Sequence, residues 1–168
     1  MMKLVLLPAL LLAVLAGTAP ASTSAPFCTG QQLSGAFSVL RGSAGAGTVV
    51  YTLRLRNRSR DACTVTGIPA LQLLGRQGGA LPTQVRAATA TALRPVLVTV
   101  LPGRSTTASA RFSPDVPGTG EPLTSGSCEP TAYHVRVAAL GGGTTTVPIS
   151  PPTPVCEHGS LQTSGYAG

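Results

Sequence analysis

Two histidines, five carboxylates and four cysteines are the side chains of this 168-residue chain that could do chemistry. A hydrolytic triad needs a histidine beside a nucleophilic serine and an orienting acid. His134 falls on the outward parity of an alternating run and His158 in a proline-flanked loop, and no Gly-x-Ser-x-Gly elbow occurs. Asp61, Asp115, Glu121, Glu129 and Glu157 all lie among turn and loop residues, where capping and turn roles account for them and nothing indicates a paired-carboxylate site. The glycine-rich stretches lack the Lys-Ser/Thr ending of a phosphate loop. Metal sites want closely spaced ligand pairs, and neither Cys-x-x-Cys nor His-x-x-x-His is present. Asn57-Arg58-Ser59 matches the glycosylation acceptor pattern, but Asn57 sits among turn formers and reads as a turn residue. These residues predict no enzyme, no cofactor and no metal centre.

The cysteines take their meaning from the N-terminus. Lys3 supplies a basic start, Leu4 to Ala16 an apolar stretch, and Ala19-Pro20-Ala21 a small-residue cleavage site. Residues 1–21 therefore read as a cleaved secretory leader, 22–27 as a short flexible segment and 28–168 as one domain. The apolar run is about 13 residues, short of the roughly 20 that span a bilayer. Thr18 stands where a lipoprotein signal would carry cysteine, and no later segment reads as a membrane span. The expectation is a secreted, extracellular chain.

In an oxidising compartment four cysteines imply two disulfides, with three possible connectivities. Strand polarity favours one. Cys28 precedes a strand and Cys63 follows its antiparallel neighbour, so both fall at one end; Cys128 and Cys156 stand in the same relation later in the chain. Cys28–Cys63 with Cys128–Cys156 is the favoured pairing, each closed loop contributing roughly 3–4 kcal/mol on the chain-entropy account.

The elements that position these groups read as strands. Val49, Tyr51, Leu53 and Leu55 share one parity, while Thr52, Arg54 and Arg56 share the other. Such alternation predicts a half-buried strand with an arginine stripe toward water. Further runs over 32–40, 70–74, 95–101, 106–112, 133–139 and 144–149 are separated by Gly, Pro and Ser clusters. The 95–101 and 106–112 runs read as hairpin partners, Tyr133 as inward-facing, and Pro151-Pro152 as the end of the 144–149 strand. Residues 113–127 form the longest loop. The chain lacks Trp and is rich in Gly and Pro, which suits short strands and turns. The predicted fold is all-β, an antiparallel immunoglobulin-like β-sandwich of about eight short strands with two disulfides.

Loss of Lys3 with the leader leaves eleven arginines against five acids, a net charge of +6. The bland reading is a solvated face; the functional one is an anionic partner. No basic run is interleaved with aromatics, so nucleic acid is not expected. If a contact face exists, it is Arg54, Arg56, Arg58 and Arg60, or the 113–127 loop.

Several motifs resemble one family. Asn57-x-Ser59 followed by Cys63-Thr64-Val65-x-Gly67-Ile68-Pro69 is similar to the N-x-[ST] … C-[TS]-[LV]-x-G-[YF]-P heart of the secreted actinobacterial domain of unknown function 4232. Ser43-Ala44-Gly45, the Leu101-Pro102-Gly103 turn with Ala108 and Phe112, Ser127-Cys128 and Val155-Cys156 extend the likeness over roughly 28–163. Ile68 stands where the family favours an aromatic, and no Trp closes the second hairpin. The resemblance implies an exported β-sandwich of the cell envelope or medium and no known activity. The expected function is a non-enzymatic binding or structural module, its partner an anionic cell-wall polymer or an envelope protein; the alternative is a secreted protease inhibitor whose insert is the loop before Cys128.

Overall fold

The alternating run becomes strand β2 (Val49–Asn57), with Val49, Tyr51, Leu53 and Leu55 all buried and Arg54 and Arg56 exposed. The computed structural model describes residues 24–114, 116–121, 128 and 130–168. The leader, residues 22–23, Asp115, Glu129 and residues 122–127 of the loop before Cys128 lie outside them.

Around β2 stand β1 (Leu33–Val39), β3 (Cys63–Val65), β4 (Ala70–Leu74), β5 (Gln84–Ala87), β6 (Val98–Val100), β7 (Ser105–Phe112), β8 (Ala132–Ala138), β9 (Thr144–Thr153) and β10 (Ser160–Thr163). Eight form one sheet in the order β4-β8-β9-β1-β2-β7-β10-β5, and β3 pairs with β6. Helical structure among the described residues is limited to short 3-10 turns. The fold is all-β, as the turn-rich composition requires, and among the described residues there are ten strands where about eight are expected. Two pairings are parallel, β1 with β9 and β10 with β5, so the sheet is mixed rather than wholly antiparallel.

Apolar faces of β1, β2, β4, β7, β8, β9 and β10 meet in a single cluster. Phe37 stacks on Tyr51 with ring centroids 5.0 Å apart, and Tyr51 lies 5.1 Å from Phe112, so three neighbouring strands interlock through aromatic side chains. Tyr51 also donates its hydroxyl to Pro151 O at 3.0 Å, which satisfies the one polar group it carries inward.

Three local expectations change. First, β7 does not pair with the run before it. It lies along β2 from Val49↔Phe112 to Arg56↔Ser105, while β6 pairs with β3 through Cys63↔Val100. An eight-residue alternating strand gains more ladder from nine-residue β2 than from a three-residue partner. Second, β9 continues through Pro151 and Pro152 to Thr153. Its pairing with β8 is irregular between Ala132 and His134, and its registered pairing with β1 ends at Ser38↔Ser150, so the missing N–H groups of Pro151 and Pro152 fall where little ladder exists. Third, that irregularity shifts parity at the start of β8. Ala132 and Val135 are buried, whereas Tyr133 turns outward to Arg76, whose guanidinium lies 4.3 Å from the ring centroid and donates to its hydroxyl at 2.6 Å.

Disulfides join Cys28 to Cys63 and Cys128 to Cys156. Each pair flanks two antiparallel neighbours at a shared end: Leu33 lies opposite Asn57, and Ala132 opposite Thr153.

Candidate functional site

The turn after β2 is organised by a buried amide. Asn57 is 0% exposed. Its Nδ2 donates to Asp61 O at 2.7 Å and to Val100 O at 2.9 Å, and its Oδ1 accepts from Ser59 N (2.9 Å) and Ser59 Oγ (2.7 Å). Every donor and acceptor of the amide is used, so Asn57-x-Ser59 is an internal clamp joining the β2 turn to β6 and not a glycan attachment point.

Arg54 and Arg56 project from the opposite face of β2, about 6.8 Å apart by strand geometry. Cross-strand partners build an outer surface around them. Ala36 and Thr107 flank Arg54, Ser34 and Ser105 flank Arg56, and Ser38 and Ser109 flank Thr52. At the far end Arg111 lies between Val50 and Gln162, and Gln162 pairs in turn with Arg86. These registered positions carry Arg, Ser, Thr, Gln and small residues, and no carboxylate. Arg56 Nε donates to Gly103 O at 3.0 Å, which tethers one guanidinium to the β6–β7 turn. Arg58 and Arg60 are also exposed, but they sit on the loop beyond Asn57 and do not share the sheet face with Arg54 and Arg56. Arg86 and Arg111 do share it. Arg111 was readable as outward-facing; its company with Arg54 came only from the β2–β7 register.

A second polar cluster lies where residues 116–121 meet the turn after Cys156. Glu121 has a side chain only 2% exposed. One oxygen accepts from Gly118 N (2.6 Å) and Glu157 N (2.9 Å), the other from His158 N (2.6 Å), with His158 Nδ1 3.3 Å away. Desolvation pushes this carboxyl up, but the three backbone N–H groups together with the nearby imidazole reverse the sign and hold it below the usual carboxylate range. The imidazole is half exposed, and its Nε2 lies 3.1 Å from Thr119 O. His134 is elsewhere, on β8, so the two histidines are not brought together. Sequence reasoning treated Glu121 as a turn acid. Two of its three donors, Glu157 and His158, lie 36 and 37 residues along the chain, so no local spacing marks it.

Glu121 also lies close to the sulfurs of Cys128 and Cys156. Sulfurs joined in a disulfide are not thiolate ligands, so this grouping does not make a metal centre. Of the 113–127 loop, 115 and 122–127 lie outside the described residues, so part of the inhibitor insert expected there falls with them. Among the described residues no helix is long and apolar enough to cross a membrane.

Searches among curated proteins and among solved structures return no match. A family model does match, over residues 28–166: the domain of unknown function DUF4232. The matched span opens at Cys28 and takes in both disulfides, the Asn57 clamp and all ten strands. The chain belongs to the DUF4232 family.

Proposed function

We propose that this chain is an exported, non-enzymatic binding module of the cell envelope or medium, and that it holds an anionic envelope polymer against the outer face that runs from β1 over β2, β7 and β10 to β5. One observation carries the reading: Arg54, Arg56, Arg86 and Arg111 occupy a Ser/Thr-lined sheet surface whose registered positions hold no carboxylate. Guanidinium groups suit phosphate and carboxylate oxygens, and hydroxyls beside them supply further donors. Several arginines spread over one sheet surface suit a repeating polyanion better than a small substrate. Arg58 and Arg60 extend the positive region beyond the sheet end.

The export reading rests on the basic-apolar-small pattern of residues 1–21, with 28–168 as the mature domain, and two disulfides accord with an oxidising compartment. On the same reading the fold is an immunoglobulin-like sandwich. β4, β8 and β9 make one leaf; β2, β7, β10 and β5 make the other; β1 passes between them. Support comes from β1 itself, which pairs along all of its residues with β2 but through only two with β9.

The test is sedimentation of the purified domain with an anionic wall-polymer preparation across a salt series. Association should weaken steeply between 50 and 500 mM salt, and the R54Q/R56Q double variant should bind at least about tenfold more weakly at low salt. Salt-insensitive association, or none, removes the reading.

A further inference from the structure

At the end of the sheet where β7 meets β10 there is a hollow of about 230 Å³ lined by Thr48, Arg111, Ser113, Glu157, Ser160 and Gln162. It is below the ~300–1,000 Å³ typical of drug-sized pockets. Its lining includes one basic and one acidic residue, Arg111 and Glu157, together with three hydroxyl residues, a glutamine and Phe112. The two charges are not joined: Arg111 donates to Thr48 Oγ1 at 3.2 Å, and among the described residues the one ion pair is His158–Glu121.

Glu157 reaches this hollow from an unfavourable backbone. Glu157 has φ 50° and His158 φ 53°, followed by Gly159 at φ 71°. Two successive non-glycine residues in the left-handed region persist only where their surroundings enforce it, and such sites concentrate where ligands are held. The enforcement is visible. Buried Glu121 accepts the N–H of both Glu157 and His158, which fixes the turn at the rim of the hollow that Glu157 lines.

We infer that this hollow binds a small zwitterion of the α-amino-acid class, its carboxylate on Arg111 and its ammonium on Glu157, with Thr48, Ser113, Ser160 and Gln162 meeting the remaining polar atoms. A small hollow lined by one basic and one acidic residue selects a ligand carrying both charges. An anion alone leaves Glu157 unneutralised and is repelled by it; a cation alone stands in the same relation to Arg111. The site is separate from the polymer face in its decisive residue, Glu157, so either assignment can fail without the other.

Calorimetric titration of the disulfide-bonded domain with free alanine tests it, with acetate and ethylamine as single-charge analogues. Alanine should bind at least tenfold more tightly than either analogue. Arg111→Gln and Glu157→Gln should each cost at least tenfold, whereas R54Q/R56Q should leave alanine binding unchanged. Both single variants keep their backbone N–H groups, and circular dichroism with a denaturation midpoint checks that each still folds. Absence of alanine binding up to 10 mM, equal binding of acetate or ethylamine, or full retention of affinity in folded Glu157→Gln overturns the assignment.

Discussion

The side-chain amide of Asn57 donates to the backbone carbonyl of Val100, 43 residues away, at 2.9 Å. Val100 pairs with Cys63, and Cys63 is bonded to Cys28, so one amide links the end of β2, the small β3–β6 sheet and the first disulfide. A buried amide with four satisfied bonds is costly to alter, because its partners are left without replacements.

Asn57→Asp replaces the double donor with acceptors facing Asp61 O and Val100 O. It should destabilise by about 3 kcal/mol or more, and Ser59→Ala by about 1 kcal/mol. Urea denaturation monitored by circular dichroism reads both as lower midpoints with unchanged slope. Mass spectrometry of the chain made in a glycosylating host should find Asn57 unmodified.

Glu121 makes the turn network acid-sensitive. Its folded pKa lies below its ordinary value of 4.5, so its contribution is fully present above that value and is lost as pH falls through the folded pKa. Protonation removes the ionised acceptor from three backbone donors. Stability of the wild type should therefore decline below pH 4.5 more than that of Glu121→Gln, which starts lower and has a flatter profile. Equal slopes from pH 5 to pH 2 would contradict this.

Tyrosine titration gives a check at the alkaline end. Burial pushes Tyr166 up to about 12, and desolvation also raises Tyr51. A raised folded pKa means that the contribution is complete below pH 10 and falls as pH rises through 10 to 12. Absorbance at 295 nm should show these two phenols ionising late in the folded protein and together near pH 10 in denaturant.

The disulfides close loops of sequence separation 35 and 28. On the chain-entropy account each contributes about 4 kcal/mol. C28S/C63S should lower stability more than that figure if the Asn57 clamp loosens with it, and C128S/C156S should act chiefly on the Glu121 turn. Thermal unfolding with and without reductant, compared across both double variants, separates the two.

Gly35 tests how closely β1 and β2 approach. A Cβ placed there would lie 1.9 Å from Arg54 O. Gly35→Ala must displace the ladder between Ser34↔Arg56 and Ala36↔Arg54, at about 2–3 kcal/mol, and should disturb the arginine face as well as the midpoint. A variant as stable as wild type would show that β1 moves freely.

Elements with a local pattern are legible along the chain alone. Period-two alternation marked β2 and its arginine stripe, since successive side chains of a strand must part to opposite faces. Turn chemistry around 75–79 and 141–143 separated the strands, and strand polarity was enough to bring Cys28 near Cys63. Partner choice was beyond local pattern. Whether β7 lay on β6 or β2 depended on ladder length across more than fifty residues, and the parity break at Tyr133 depended on a bulge fixed by β9. The same holds for the sites. Arg54 and Arg56 were legible as a pair because they share one strand, whereas Arg86 and Arg111 joined them only through register. The burial of Asn57 and Glu121, and the hollow between Arg111 and Glu157, were decided by tertiary structure, because they arise where separate backbone segments converge on one side chain and no spacing along the chain encodes that meeting.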